Sequence, residues 1–287
     1  MTGPVTGPVI APATLHLPIY RVDAFADRAF TGNPAAVVPL SGWLPDDLMQ
    51  DIAAENNLSE TAFFVANGTD WDLRWFTPAV EVDLCGHATL ATAWVIWNRL
   101  GRNDGVLRFH TRSGLLTVTR DGDLLVLDFP AQAPRPCAVP AGLAQALGAT
   151  PTAALMAADL IALFDDAALV AGLHPDLAKI AALQDQGIVS VVVTAPGSGL
   201  ATQSGTAIDF VSRCFAPAQA LPEDPVTGST HCALAPYWGE RLGKTELVAR
   251  QVSARGGDLR CSLRGQRVLI AGRAVPTLEG MIQSPAC

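Results

Sequence analysis

The sequence predicts an α+β fold of two similar halves, each a set of strands around one buried helix. Three observations predict it. Arg74-Trp75-Phe76-Thr77-Pro78-Ala79 matches Arg213-Cys214-Phe215-Ala216-Pro217-Ala218 at a constant offset of 139, with four of six residues identical. The segments just after these also repeat: Cys85-Gly86-His87 opens one apolar segment and Thr227-Gly228-Ser229 opens another, at an offset of 142. Lastly, Ala88 to Leu100 is apolar on every side of a helix, which suits a core position and not a surface one. Self-similarity at a fixed spacing means two copies of one unit, here related by a pseudo-twofold, with the site between them.

Residues 1–15 carry two Gly-Pro pairs and no basic region, and are expected to be a loose leader, not a secretory signal. Tyr20 to Phe25 and Ala35 to Leu40 have strand propensity and flank a Gly32-Asn33-Pro34 turn. Leu44 to Asn56 sets Leu48, Ile52 and Ala53 on one helical face with Pro45 in its first turn. Thr61 to Val65 and Asp72 to Phe76 return to strands, and the apolar helix comes after Cys85. Strands Leu115 to Thr119 and Leu124 to Phe129 flank a turn at Asp121-Gly122, where the halves are expected to divide into 16–122 and 123–287. The second half continues through the Pro-rich stretch from Pro130 to Pro140. An apolar run, 153–164, fits strand or helix; beyond it lie a helical stretch, Pro175 to Asp185, and strands at Val189 to Thr194 and Ile208 to Arg213. The helix at Thr230 to Trp238 leads into antiparallel strands over Gln251 to Val275, one of which could cross back to the first half.

Composition narrows the function. With 49% hydrophobic residues over 287 positions, the chain can fill a large core. Its net charge of −8, with only 16% charged residues, argues against nucleic acid as a partner. Its apolar runs are interrupted or fall short of the roughly 20 residues that cross a bilayer, so no membrane segment is expected. Six cysteines without a Cys-x-x-Cys pair suit reduced thiols in the cytoplasm.

The chemistry concentrates at the two helix starts. Unpaired N–H groups there, on Gly86-His87 and Gly228-Ser229, would make an anion pocket suited to a small carboxylate; the glycines could equally serve close packing alone. Glu60, ahead of an apolar strand, is a candidate general acid and base with a raised pKa, or an ordinary loop glutamate. Asp224 before Pro225 reads as a site residue or a turn aspartate, and His87 as a site residue or a satisfied core histidine. Cys85 at a helix start is expected to have a lowered pKa and could itself be a base. Its repeat partner is Thr227, which speaks against a two-thiol racemase.

Three further patterns are set aside. Gly239 to Thr245 has three residues between its glycines where a phosphate loop has four, and comes after a helix. Gly197-Ser198-Gly199 lacks the third glycine and the helix of a dinucleotide site. Cys85, His87, His231 and Cys232 lack zinc-ligand spacing, so no metal is expected.

Val22-Asp23-Ala24-Phe25, Gly32-Asn33-Pro34-Ala35, Asn57-Leu58-Ser59-Glu60-Thr61, Asp83-Leu84-Cys85-Gly86-His87-Ala88-Thr89, Asp128-Phe129-Pro130 and Glu223-Asp224-Pro225-Val226-Thr227-Gly228-Ser229 closely resemble the phenazine-biosynthesis PhzF-like family, in its order, across almost the whole chain. The resemblance implies the diaminopimelate epimerase-like fold, with two curved, mostly antiparallel sheets each wrapped around a central helix. It implies a homodimeric, cofactor-independent isomerase with Glu60, His87 and Asp224 as catalytic residues. Asn33, Ser59, Cys85, Gly86, Thr227, Gly228 and Ser229 would bind a small carboxylate substrate. The family's phenazine enzyme has a small non-nucleophilic residue where Cys85 stands, and related epimerases use a thiol. A Cys85-dependent epimerase or dehydratase of an amino or imino acid, and a noncatalytic binding protein, are the alternatives.

Overall fold

The computed structural model of the protein describes residues 14–285 apart from 203 and 220. Of the expected leader, all but Thr14 and Leu15 lies outside the described residues, and these two already belong to the first strand. The first half contains β1 (Thr14–Ala24), β2 (Asn33–Leu40), α1 (Asp46–Asn56), β3 (Glu60–Asn67), β4 (Asp70–Phe76), β5 (Glu81–Val82), α2 (Gly86–Asn98), β6 (Val106–Thr111) and β7 (Gly114–Asp121). The chain continues with β8 (Leu124–Pro130), β9 (Arg135–Cys137), α3 (Leu143–Leu147), β10 (Ala153–Met156), β11 (Leu160–Leu163), α4 (Ala167–Ala171), α5 (Leu177–Ala182), β12 (Val191–Pro196), β13 (Phe210–Ala216) and β14 (Leu221–Asp224). It ends with α6 (Gly228–Leu242), β15 (Glu246–Gln251), β16 (Gly257–Arg264), β17 (Arg267–Gly272) and β18 (Ala274–Pro285).

Pairing shows the repeat directly. In the first half the strands run β18, β1, β2, β3, β4, β6, β7, β8, with β2 parallel to β3 and β4 parallel to β6. In the second they run β9, β10, β11, β12, β13, β15, β16, β17, with β11 parallel to β12 and β13 parallel to β15. Every other neighbour in both orders is antiparallel. β8 also pairs with β17, so it joins the two sheets; the expected boundary at Gly122 falls in the β7–β8 turn just before it. The strand that crosses back is β18, which pairs with β1 from Thr14 to Ala24 and lies almost wholly beyond the expected range ending at Val275.

The core explains these assignments. On α2 every residue from Gly86 to Trp97 except Trp94 is buried, so its lack of a polar face is satisfied on all sides. α2 and α6 share one apolar cluster with the inner faces of both sheets. Burying a Leu or Ile such as Leu90 or Ile96 contributes roughly 1.5–3 kcal/mol each. α1 covers the outside of the first sheet through Met49, Ile52 and Ala53; Met49, not Leu48, is the fully buried residue of its first turns. Short helices α3, α4 and α5 cover the outside of the second sheet. The run 153–164 is a hairpin, because the Ala157 N–H donates to Asp159 O and turns the chain between β10 and β11.

One turn has a direct role in the site. Gly32 has φ +66, and a Cβ there would lie 2.2 Å from Ala24 O, so only glycine fits. The turn delivers Asn33 to the first position of β2, fully buried between the halves.

Candidate active site

The site forms where the first turns of α2 and α6 meet. Gly86 and Gly228 begin these helices and touch: a Cβ on Gly86 would lie 3.8 Å from Gly228 Cα and 3.6 Å from the Phe129 ring. A cleft of about 760 Å³ opens beside this contact, lined by Ser59, Glu60, Asp224, Thr227 and Ser229. Among the expected substrate-binding residues, Asn33, Cys85, Gly86 and Gly228 do not line it, because the close approach of the helix starts buries them. The two glycines pack against each other, and of the residues at the start of α6 it is Thr227 and the exposed Ser229 that line the cleft.

Each side chain is delivered by a regular element. Glu60 is the first residue of β3, held opposite Ala35 in a parallel register. His87 is the second residue of α2, and Asp224 ends β14 opposite Cys214. Asn33 ties these together: its Nδ2 donates to Asp224 Oδ1 at 2.7 Å and to Val226 O at 2.9 Å, and lies 3.2 Å from His87 Nδ1. Thr227 Oγ1 donates to Asp224 Oδ2 at 2.5 Å.

His87 Nε2 lies 3.2 Å from Glu60 Oε2, but the two do not align as a hydrogen bond, and neither atom has a partner among the described residues. Nor is this an ion pair, since burial lowers the His87 pKa to about 3 and the imidazole is neutral. Its Nδ1 faces Asn33 Nδ2 and, at 3.4 Å, Cys85 Sγ. The neutral ring carries one hydrogen on one of its two nitrogens, and Nε2 is the nitrogen that faces Glu60.

Burial raises the Glu60 pKa to about 8, and the nearby charge of Asp224 adds to it, while a hydrogen bond from Cys85 opposes. Burial also raises Asp224, to about 6, against the hydrogen bonds from Thr227 and Asn33. The two carboxyls titrate as a pair. Cys85 departs from expectation. Its thiol pKa is pushed well up, first by burial and then by the Glu60 charge, which together outweigh the helix start. It is a protonated donor, not a thiolate base.

Sequence reasoning missed Gln251. Fully buried at the end of β15, it accepts from Thr227 N–H at 2.9 Å and donates to Asp224 O at 2.7 Å, bracing the loop from 224 to 227. No local signal marks it. Asp159 and Ser190, also in the cleft wall, were missed for the same reason. Among the described residues, Glu60, Cys85 and His87 bring ligand atoms within 4.8 Å of one another, the one grouping there that could hold a metal ion. His231 and Cys232 take no part in it; His231 Nδ1 bonds Thr227 O on its own helix.

Residues 22–280 match the family profile described as phenazine biosynthesis-like protein, PhzC-PhzF. The chain belongs to the PhzC-PhzF family. Family relatives include a Pseudomonas aeruginosa protein named an uncharacterized isomerase, 52% identical over 93% of this chain and 99% of the relative. The human phenazine biosynthesis-like domain-containing protein is 40% identical over 93% of this chain and 99% of its own length. A crystal structure of a PhzF-family protein from Enterococcus faecalis matches with a TM-score of 0.88 and 46% identity, over 93% of this chain and 99% of that one. A hydroxyproline epimerase from Agrobacterium vitis shares the fold alone, with a TM-score of 0.59 at 13% identity over 94% of this chain and 93% of its own. The PhzC-PhzF family is one of isomerases, and this chain is one by membership. Among the described residues no helix is long and apolar enough to cross a membrane.

Proposed function

We propose that this PhzC-PhzF protein moves a proton within a small carboxylate-bearing substrate, without a cofactor, and that Glu60 is both the base and the acid. The observation that carries this reading is Glu60 itself: a carboxyl that lines the cleft together with Asp224 and has a pKa of about 8. Such a group holds a useful fraction of each protonation state near neutral pH, as a carbon acid reaction requires. Glu60 takes a proton from carbon onto its carboxylate. The electron pair left behind delocalises toward an adjacent double bond or carboxylate, and Glu60 returns the proton at another carbon. His87, neutral and with Nε2 3.2 Å from Glu60 Oε2, steadies the Glu60 carboxylate while it is charged. Ser229 and the first turn of α6 receive the substrate carboxylate and the developing negative charge. Asp224 stands beside the reacting centre, its protonation tied to that of Glu60. Family membership extends the proposal to a homodimer in the cytoplasm.

Deuterium incorporation tests it. Small cyclic and amino carboxylates are incubated with the protein in D2O and followed by mass spectrometry beside Glu60→Gln. Label that enters a compound with the parent protein and not with the variant supports the reading; label that enters equally with both overturns it.

A further inference from the structure

The strand registers identify what stands opposite Glu60. Thr61 pairs with Phe76 in the first half, and Val191 pairs with Phe215 in the second. Phe76 and Phe215 are the matched phenylalanines of the repeat, so Ser190, one residue before Val191, is the counterpart of Glu60. Ser190 is buried, and its hydroxyl donates to Asp159 Oδ1. The hydroxyl of Thr230, buried on α6, donates to the other oxygen, Oδ2, at 3.0 Å. Asp159 and Ser190 line the same cleft as Glu60.

The two carboxyls have opposite surroundings. Glu60 has an oxygen with no partner, whereas Asp159 accepts one hydroxyl on each oxygen and is fixed in orientation. Both hydroxyls spend their only hydrogen on Asp159, and both are neutral, so the carboxyl keeps lone pairs for a further donor. Its charge adds to burial in pushing the Asp224 pKa up. A second anionic group of a ligand would be repelled from this wall, and a cation drawn to it.

We propose that Asp159 is a specificity-determining residue that receives a protonated amine of the substrate, with Ser190 and Thr230 as its positioning residues. The inference rests on the isomerase reading only in taking this cleft as the substrate site. A substrate held in this way sets its ammonium on Asp159 and its carboxylate on the neighbouring Ser229, since Thr230, which holds Asp159, follows Ser229 on α6; the reacting carbon is left to Glu60.

Matched ligand pairs test it: L-proline against cyclopentanecarboxylate, and cis-2-aminocyclohexanecarboxylate against cyclohexanecarboxylate, with affinity measured by calorimetry on the parent, Asp159→Asn and Glu60→Gln. The amine-bearing member of at least one pair should bind the parent about tenfold more tightly, the scale of one charge-assisted hydrogen bond. Asp159→Asn should erase that preference and leave the affinity of the amine-free member unchanged or improved. A preference that survives in Asp159→Asn, or no amine preference in the parent for either pair, overturns the proposal. If Asp159→Asn does not fold, Ser190→Ala takes its place, and an unaltered preference there is equally fatal. Glu60→Gln should keep the preference, so failure of proton transfer and failure of amine recognition are read separately.

Discussion

Asn33 and Asp224 come from opposite halves of the molecule and share a 2.7 Å hydrogen bond. They are 191 residues apart, and the same amide also holds Val226 O. The bond joins the strand that flanks Glu60 to the loop that carries Thr227 and Ser229, so the geometry of the cleft depends on it. Asn33→Ala leaves a buried carboxyl and a buried carbonyl each short of a donor. The expected cost is about 3 kcal/mol of unfolding free energy, together with loss of deuterium exchange. Urea denaturation checks the first, and a variant as stable as the parent would show that the amide does not hold the halves together.

Glu60 ties stability to pH with a definite sign. Its carboxyl titrates near 4.5 when unfolded and near 8 in the fold, so between those values the folded chain keeps a proton that the unfolded chain has released. Its contribution is fully present below about pH 4.5 and is lost as pH rises to about 8. Glu60→Gln removes this loss. The stability advantage of the variant over the parent should therefore grow from pH 5 to pH 8, reaching a few kcal/mol. Thermal unfolding of both proteins across that range gives the answer; a constant difference would contradict the raised pKa.

Cys85 should resist alkylation. The thiol is 6% exposed, with its pKa pushed well up, so native protein treated with iodoacetamide at pH 7.5, ~1 unit below an unperturbed thiol, should carry no label there. Cys85→Ser, which keeps a donor beside Glu60 and His87, should retain deuterium exchange within about tenfold. Peptide mapping of the alkylated protein, with the exchange rate of the variant, decides both; prompt labelling that stops exchange would restore the thiol to the chemistry.

The repeat carries an ion pair in each copy, and the two should differ in importance. Arg74 grips Glu81 through Nε and Nη2, and Arg213 grips Glu223 in the same way. Arg213 also donates to the carbonyls of Val170, Ala171 and Leu173, while Glu81 keeps a second partner in Arg112. Arg213→Met should cost about 3–5 kcal/mol, because it strands a partly buried carboxylate and three carbonyls. Arg74→Met should cost less than half of that. Equal losses in chemical denaturation would mean that the carbonyl contacts contribute nothing.

Short-range pattern carried most of the fold. The all-apolar α2 and the turn at Gly32 depend on neighbours within a few residues, and the repeat is a match of two short segments 139 residues apart, so all three were legible. The run 153–164 was not, since a short apolar stretch fits helix or strand until its neighbours are known. Glu60, His87 and Asp224 could be named as candidates from the family resemblance and from their local places, Glu60 ahead of an apolar strand and the other two near helix starts. The rest of the cleft could not: Asp159, Ser190 and Gln251 sit on different strands or turns with no motif around them.

Two matched units, a pair of buried helices beginning with glycine, and the identity of the acid and base candidates are written in the amino-acid order alone. How those groups behave depends on the assembled halves. Folding set Asn33 across to Asp224, hid the glycines against each other, and buried Cys85 beside Glu60, so that its thiol stays protonated. Helix starts favour anions whatever their surroundings, but burial and a neighbouring carboxylate are properties of the assembled fold, and here they outweighed the local signal.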